Sequence, residues 1–369
     1  MVWWRIGYVG MCMFGWTNAF MFGGGLVKWG LDQIRAQGSY VRDPIDTYAP
    51  NTESLFQKMY DLQWYVVGVS RDFTKGVPKK INVRDRDYVV WKDSTGTFHA
   101  LDNACWHRGA SLADGVLTRD NCVVCPYHGI TYTSEGEMIY PSWMEDTPVA
   151  GGGVTKYDVA EYGGWVFLNT VHGGGNMSTE TRFLREKESA DPTHFSKTFD
   201  SIDVECLPYI LTEKSLDRKQ LGFVKPPITE EPPREINSFH YRSSYVYESV
   251  ANSLFQKVFR RPYLIVETEF CLPHTTLMRV IYGKYISTIV MSALPMRRTY
   301  TRLFVKIYRN FWRNALGDWI TWIILRNILI EDRRIAEGIA VVSRETVSVD
   351  PLQTLYYMMY MKYVNANKG

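Results

Sequence analysis

Two short stretches decide the fold of this 369-residue chain: Cys105-Trp106-His107 and Cys125-Pro126-Tyr127-His128. Each stretch contains one cysteine and one histidine, two or three positions apart. Seventeen residues, 108–124, separate the stretches, and a β-hairpin can fill that gap and bring its two ends together. The sequence therefore predicts that two thiolates and two imidazoles converge on one small volume.

This ligand set is typical of a Rieske [2Fe–2S] cluster, in which each loop supplies one Cys and one His. Cys105 and Cys125 are predicted to hold one iron, and His107 and His128 the other. Neutral imidazoles in place of two thiolates raise the reduction potential of the cluster, which suits it to passing single electrons.

Two other interpretations of the same residues stay open. A zinc site is the first, although structural zinc motifs usually pair Cys with Cys and His with His inside a loop, whereas each loop here mixes the two. Chance is the second. Only six Cys and seven His occur in the whole chain, and four of these thirteen stand at matching offsets in two loops.

Composition bounds the class of protein. Hydrophobic residues make up 46% of the chain and charged residues 22%, as in a globular protein, and the length suits about two domains. A net charge of +3 gives no basic field, so nucleic acid is not an expected partner. Aromatic residues, at 14%, are abundant, and they gather at membrane interfaces and subunit contacts.

The first thirty residues predict a transmembrane anchor. Residues 6–27 contain no charge and are rich in Met, Phe, Val and Gly, and about 20 apolar residues cross a bilayer core. Trp and cationic residues flank the stretch at both ends, as interfacial anchors do. A cleaved signal peptide or a buried helix is the alternative, and six glycines weaken any helix here. Residues 31–62 are predicted to be a linker.

The remaining chain predicts an α+β fold in two domains and a tail. Short alternating strands from Gln63 to Asn169 indicate a small all-β domain over residues 63–172. Longer strands in the second half, followed by a helix over Phe311–Ala340, indicate an antiparallel sheet covered by a helix over residues 173–345. The helix carries too many charges to span a membrane. The tail, 346–369, contains the apolar run Leu355–Met361, for which a partner-covered surface is expected.

The motifs from Asn103 to Leu112 and from Cys125 to Gly129 resemble those of the catalytic α-subunits of Rieske non-haem iron oxygenases, in particular the pheophorbide a oxygenase-like membrane branch. The resemblance extends over about residues 63–340. It implies a Rieske domain followed by a helix-grip-like domain with a second, mononuclear iron held by two His and a carboxylate.

The second iron site departs from this family pattern. In the stretch Glu213–Pro226, which resembles E-N-x-L-D-x-x-H-x-x-x-x-H-P, Gln220 and Lys225 stand where the two His belong, and no H-x₄-H occurs anywhere in the chain. The resemblance keeps Asp217 as the acid that bridges neighbouring subunits and Asp332 as the third ligand. A lysine has no lone pair to donate when it is protonated, so mononuclear iron is not expected, and a Lys225–Asp332 ion pair is expected in its place.

Three functions follow from these expectations. The first is a pseudoenzyme that serves as a structural or auxiliary electron-transfer subunit of a membrane complex, with membrane lipid and other subunits as partners. Its expected location is an organellar membrane, the mitochondrial inner membrane first and a chloroplast membrane as the alternative. The second is an active Rieske monooxygenase acting on a hydrophobic substrate such as a chlorophyll derivative or a sterol. The third is a purely structural protein with a vestigial cluster site.

Overall fold

The computed structural model describes residues 64–139, 152–170, 183–217, 227–237, 239–248, 263–297, 299–339 and 351–366. The predicted transmembrane anchor and the predicted linker lie outside these residues. No helix in the described ranges combines the length and the apolar character that crossing a membrane requires.

Three small antiparallel sheets form the first part of the described chain. The predicted small all-β domain is present, but two of its strands, Trp64–Val69 and Trp165–Asn169, are buried along their whole length and do not show the alternating pattern expected from the sequence. The sheets have the orders β1-β11-β10, β2-β3-β4-β9 and β5-β6-β7-β8. The strands are β1 Trp64–Val69, β2 Lys79–Val83, β3 Arg86–Lys92, β4 Phe98–Asp102, β5 Val116–Leu117, β6 Val123–Val124, β7 Thr131–Tyr132, β8 Met138–Ile139, β9 Lys156–Tyr157, β10 Val159–Tyr162 and β11 Trp165–Asn169.

A seven-stranded antiparallel sheet dominates the second part, which confirms the predicted α+β class with a large antiparallel sheet. Its order is β12-β18-β17-β16-β15-β14-β13. From β13 to β18, neighbouring strands of the sheet are consecutive in sequence. The remaining strand, β12, lies at the edge of the sheet beside β18. The strands are β12 Ser196–Val204, β13 Thr229–Asn237, β14 His240–Glu248, β15 Tyr263–Cys271, β16 Thr275–Tyr282, β17 Tyr285–Arg297 and β18 Tyr300–Arg309.

The α-helices of the described ranges are α1 Pro208–Leu216, α2 Ala315–Glu337 and α3 Pro351–Ala366. The predicted helix over Phe311–Ala340 is confirmed as α2. Asn314 caps its first turn by accepting a hydrogen bond from the Gly317 backbone N–H, and the helix ends before Gly338.

The seven-stranded sheet has a core on each face. On one face, Tyr245 and Val305 pack with Leu325 and Leu329 of α2. On the other face, residues such as Val290 and Phe304 join Trp165 and Phe167 of the first part in one continuous apolar cluster. The small sheets that contain β1, β2, β3 and β11 therefore share a core with the large sheet.

Backbone hydrogen bonds also join the two parts. The β2–β3 turn places Arg84 and Asp85 in the left-handed region, with φ of 51° and 60°. Their N–H groups donate to the carbonyls of Pro295 and Met296, each at 2.9 Å. The tip of a small hairpin thus binds the end of β17.

A buried ion pair lies at the same junction. Lys306 Nζ lies 2.6 Å from Glu186 Oε1, and both side chains are fully buried. The Tyr308 hydroxyl donates to the same carboxylate at 2.5 Å, and the Lys306 ammonium lies 4.0 Å from the centroid of the Trp165 ring. Glu186 belongs to the charged stretch Arg185-Glu186-Lys187-Glu188, which therefore lies in part in the protein interior.

The tail differs from the prediction. Tyr356 and Tyr360 of α3 are 1% and 2% exposed because they pack into the core shared by the two parts. Met358, on the same helix, is 61% exposed. The prediction of a partner-covered surface is wrong for these two tyrosines, because they are buried in the core of the chain itself.

Candidate metal centre

The two predicted ligand loops have the same backbone conformation. In the first loop, the Cys105 N–H donates to the Ala110 carbonyl at 2.9 Å, and the Gly109 N–H returns to the Cys105 carbonyl at 2.7 Å. In the second, Cys125 donates to the Ile130 carbonyl at 2.8 Å, and Gly129 donates to the Cys125 carbonyl at 3.1 Å. The repeated hydrogen-bond pattern gives the two cysteines equivalent positions, whereas the histidine is the third residue of one turn and the fourth of the other.

A glycine closes each loop for a conformational reason. Gly109 has a φ of +70° and Gly129 a φ of +75°, the left-handed region in which a Cβ is strained. The space beside both residues is open. Glycine is therefore required here by the backbone turn and not by crowding.

The four predicted ligands meet between the loops. Cys105 and Cys125 are 3% and 2% exposed, and their side chains are hydrogen-bonding neighbours. The Nδ1 atoms of His107 and His128 lie 3.2 Å apart, with ring centroids separated by 4.8 Å. The exposed ring of Tyr127 stacks on His128 with a centroid distance of 3.8 Å. The two sulfurs thus lie together inside the protein, and the two imidazoles lie together toward solvent.

Tyr132 of β7 supports the first loop from below. Its hydroxyl accepts a hydrogen bond from the Trp106 N–H at 3.1 Å and lies 3.1 Å from the Cys105 Sγ. Because the oxygen accepts from the backbone amide, its own proton is available for the sulfur. Burial and the neighbouring Cys105 thiol raise the pKa of Tyr132, so this proton is retained.

Asn103 fixes the chain on either side of the first loop. Its Oδ1 accepts from the Ala113 N–H at 2.9 Å, its backbone carbonyl accepts from Leu112 at 2.8 Å, and its side-chain amide donates to the Ser111 hydroxyl at 3.1 Å. Leu112 is fully buried in the core that also contains both cysteines. The loop is therefore held in place by polar and apolar contacts.

This donor set fits a [2Fe–2S] cluster. Burial raises the pKa of the Cys125 thiol, so a nearby cationic centre is needed to hold it as a thiolate. The imidazoles project their Nδ1 atoms into the same space, and neutral imidazole is an iron ligand. When bound, the cluster supplies one-electron transfer. Cys105, Cys125, His107 and His128 would hold it, and the Tyr132 hydroxyl would hydrogen-bond to one of its sulfur ligands.

The predicted second iron site contains an ion pair. Lys214 Nζ, near the end of α1, lies 2.9 Å from Asp332 Oδ1 and 3.0 Å from the Asp332 backbone carbonyl oxygen on α2. The Lys214 side chain is 6% exposed and that of Asp332 17%. The carboxylate predicted as an iron ligand therefore faces an ammonium group.

The other residues predicted for this site are placed less completely. Gln220 and Lys225 lie outside the described residues, so the expected Lys225–Asp332 pair stays a prediction. Asp217 directly follows α1 as its C-terminal cap residue, and its role as a bridging acid also stays a prediction. Within the described ranges, no three His, Cys, Asp or Glu side chains converge in the way that a single metal ion requires.

The histidines near the large sheet are engaged in contacts of their own. His240 Nε2 lies 2.7 Å from Glu269 Oε2. His274, in the turn between β15 and β16, is buried and lies 3.0 Å from the Tyr356 hydroxyl and 3.3 Å from the Thr212 hydroxyl. Burial lowers the pKa of His274 to about 3, so it is neutral. Both imidazoles therefore have polar partners within the fold.

Sequence reasoning missed Lys214 and Tyr132. Lys214 stands at the Asn position of the family pattern E-N-x-L-D, and this substitution was a readable signal. Tyr132 carried no signal, because its contact with Cys105 depends on how β7 packs beneath a loop 27 residues earlier.

Comparisons with known proteins agree with a [2Fe–2S] cluster at this site. The family described as Rieske [2Fe-2S] domain matches residues 63–149. Pheophorbide a oxygenase, chloroplastic, from Oryza sativa subsp. japonica is 36% identical over 293 residues, covering 74% of this chain and 54% of the relative. The oxygenase component of 3-ketosteroid-9-alpha-monooxygenase from Rhodococcus rhodochrous is 33% identical over 88 residues, covering 24% of this chain and 23% of the relative.

The whole fold also has solved counterparts. The crystal structure of apo dicamba monooxygenase matches with a TM-score of 0.70 and 16% sequence identity, over 84% of this chain and 98% of the other. This likeness shows the fold. The chain spans about half the length of the pheophorbide a oxygenase that it matches. The chain therefore contains a Rieske [2Fe-2S] domain, and it is similar to Rieske oxygenases in sequence and in fold.

Proposed function

We propose that this chain is a Rieske redox protein that carries single electrons through its [2Fe–2S] cluster and that holds no mononuclear iron at Asp332. The observation that carries the proposal is the 2.9 Å contact between Lys214 Nζ and Asp332 Oδ1. A protonated lysine has no lone pair for a metal and repels a divalent cation. The ion pair thus supplies the positive charge that an iron would otherwise give to the carboxylate.

The remaining ligand inventory supports the same proposal. No H-x₄-H occurs in the sequence, so the usual imidazole pair is missing in every alignment register. His240 is paired with Glu269, and His274 is buried beside Tyr356 and Thr212. Recruiting either imidazole as an iron ligand would disrupt a buried polar contact, at a cost of about 1–3 kcal/mol.

Iron content tests this proposal. The full chain is purified under anaerobic conditions, and its iron and acid-labile sulfide are measured together with the paramagnetic signal after reduction. We expect two irons and two sulfides per chain, as for one [2Fe–2S] cluster. If the wild-type chain contains a third iron, the variant Asp332→Ala shows where it is bound. Loss of this iron in the variant would overturn the proposal, whereas its retention would point to ligands elsewhere.

A second candidate is a Rieske monooxygenase acting on a hydrophobic substrate. Its support is the 36% identity to pheophorbide a oxygenase and the match to a 3-ketosteroid monooxygenase component. This function requires mononuclear iron on unusual ligands. Oxygen consumption that depends on added pheophorbide a or a 3-ketosteroid, in the presence of an electron donor, would establish it over the electron carrier.

For location, we favour a chloroplast membrane over the mitochondrial inner membrane predicted first. The similar pheophorbide a oxygenase is chloroplastic by its name, and neither relative described above is named as mitochondrial. Membership of a larger membrane complex remains part of the proposal, and fractionation of isolated organelles with an antibody against the chain tests the location.

A further inference from the structure

Helix α2 has an apolar face that the rest of the described chain leaves uncovered. Its inner face is buried on the large sheet through Gly317, Thr321, Leu325, Leu329 and Ala336. On the opposite side, large apolar side chains are exposed, and we call them the outer apolar face. They are Leu316 at 63%, Trp319 at 54%, Trp322 at 43% and Ile330 at 38%.

This concentration is unusual for a helix that faces only water. An amphipathic surface helix normally presents polar residues opposite its buried stripe, whereas α2 presents two tryptophans. Contiguous exposed apolar patches mark sites of contact with proteins or membranes. Tryptophan in particular is enriched at the boundary between lipid and water, where its ring is apolar and its N–H stays hydrated.

The most exposed charged residues along α2 are cationic. Arg313 lies just before the helix, and Arg333 and Arg334 lie in its last turn, all three exposed. The acids of α2 are of intermediate exposure, and three of the four have a cationic partner: Asp318 contacts Arg309, Asp332 contacts Lys214, and Glu337 contacts Arg333. The fourth is Glu331. An apolar centre with arginines at both ends is complementary to a surface of anionic headgroups over acyl chains.

The helix is suited to lying on a membrane. Its 23 residues extend about 34 Å, but its inner face is committed to the sheet, and it lacks the apolar character of a spanning segment. The uncharged stretch 6–27, predicted to be an anchor, would hold the chain near a bilayer whose surface α2 can then contact.

We propose that the outer apolar face of α2 lies in the headgroup region of an anionic lipid bilayer. This binding surface is separate from the Rieske site and does not depend on the electron-carrier proposal. Insertion of Trp319 and Trp322 would bury their rings at the headgroup level, and the arginines would contact lipid phosphates.

Site-specific photo-crosslinking of the full chain tests the proposal. Trp319 is replaced by p-benzoylphenylalanine, and the same residue is placed at Val77, which is 51% exposed and lies in the first part of the chain, as a matched control. The protein is reconstituted in phosphatidylcholine vesicles with and without phosphatidylglycerol. We expect lipid adducts at position 319, more of them with phosphatidylglycerol, and few at position 77.

Charge variants separate lipid contact from other occupants. Replacing Arg333→Gln and Arg334→Gln should lower the adduct yield on anionic vesicles, on the order of fivefold for each arginine, with little change on neutral vesicles. Arg119→Gln, at an exposed arginine of the first part, should leave the yield unchanged. Circular dichroism and the visible cluster spectrum confirm that each variant is folded. Adducts at position 319 with another protein chain or with residues 1–63, or equal lipid yields at 319 and 77, would overturn the proposal.

Discussion

Lys214 on α1 and Asp332 on α2 form an ion pair at 2.9 Å, although 118 residues separate them in the chain. Lys214 also donates to the Asp332 backbone carbonyl at 3.0 Å. The contact joins two helices at the position where the family resemblance predicts an iron, so a side chain of the protein provides the counter-charge there.

Removing one partner of this pair should destabilise the fold. In Lys214→Met the Asp332 carboxylate, 17% exposed, loses the ammonium group at 2.9 Å, and we expect a loss of about 3 kcal/mol in the free energy of unfolding, measured with urea. The double variant Lys214→Met/Asp332→Leu should recover part of that loss, because both charges are then removed.

A matched control separates burial from charge. Lys156 and Glu135 lie 2.7 Å apart with side chains 41% and 60% exposed, so Lys156→Met should cost less than about 1 kcal/mol. If the double cycle at Lys214 and Asp332 shows no coupling, the pair contributes nothing to stability, and the idea that it replaces a metal loses its support.

Tyr132 should tune the reduction potential of the cluster. Hydrogen bonds to cluster sulfurs raise the potential because they stabilise the more negative reduced state. Tyr132→Phe removes the hydroxyl that lies 3.1 Å from Cys105 Sγ. Because one weak hydrogen bond to the cluster is lost, we expect the reduction potential to fall by on the order of tens of millivolts, as measured by protein-film voltammetry.

Tyr127→Phe is the control for this change. Its ring stacks on His128, and the substitution keeps the ring while it removes only the hydroxyl. An equal fall in both variants would show that the hydroxyl beside Cys105 has no special effect.

His274 should make stability depend on pH. Its pKa is lowered to about 3 in the folded state by burial, whereas an exposed histidine titrates near 6.5. Above about pH 6.5 neither state binds the proton, and the group has no effect. Below that pH the unfolded state binds a proton that the folded state excludes, so stability falls by about 1.4 kcal/mol for each pH unit.

The variant His274→Asn isolates this contribution. Urea unfolding between pH 6.5 and 5 should lose about 2 kcal/mol more in the wild-type chain than in the variant, because the remaining histidines titrate alike in both. Parallel stability curves would show instead that the pKa of His274 is the same in the folded and unfolded states.

Lys306 should stabilise the junction between the two parts of the chain. In Lys306→Met the Glu186 carboxylate stays buried, with the Tyr308 hydroxyl but without its cation, and we expect a loss of about 3 kcal/mol in the free energy of unfolding. Adding Glu186→Gln should reduce the loss, because it removes the unpaired charge. A loss that stays the same in the double variant would assign the effect to packing against Trp165.

The sequence by itself determined the cluster loops, most strands and the long helix. The Cys105–His107 and Cys125–His128 motifs lie in local turns, and the glycines at 109 and 129 stand where the backbone of these turns is left-handed. The strands and α2 follow from the period of apolar residues, which is a local property of the chain. The loss of both imidazoles in Glu213–Pro226 was also readable, because it concerns residue identity alone.

Only the tertiary structure decided which distant groups meet. Glu186 and Glu188 belong to a charged run that local patterning cannot distinguish from a solvated one, yet they pair with Lys306 and Arg279 in the interior. The partner of Asp332 and the contact of Tyr132 with Cys105 likewise depend on packing between elements far apart in sequence. A buried charge is stable only beside its counter-charge, and the chain brings the two together only when the small sheets and α1, α2 and α3 pack onto the large sheet.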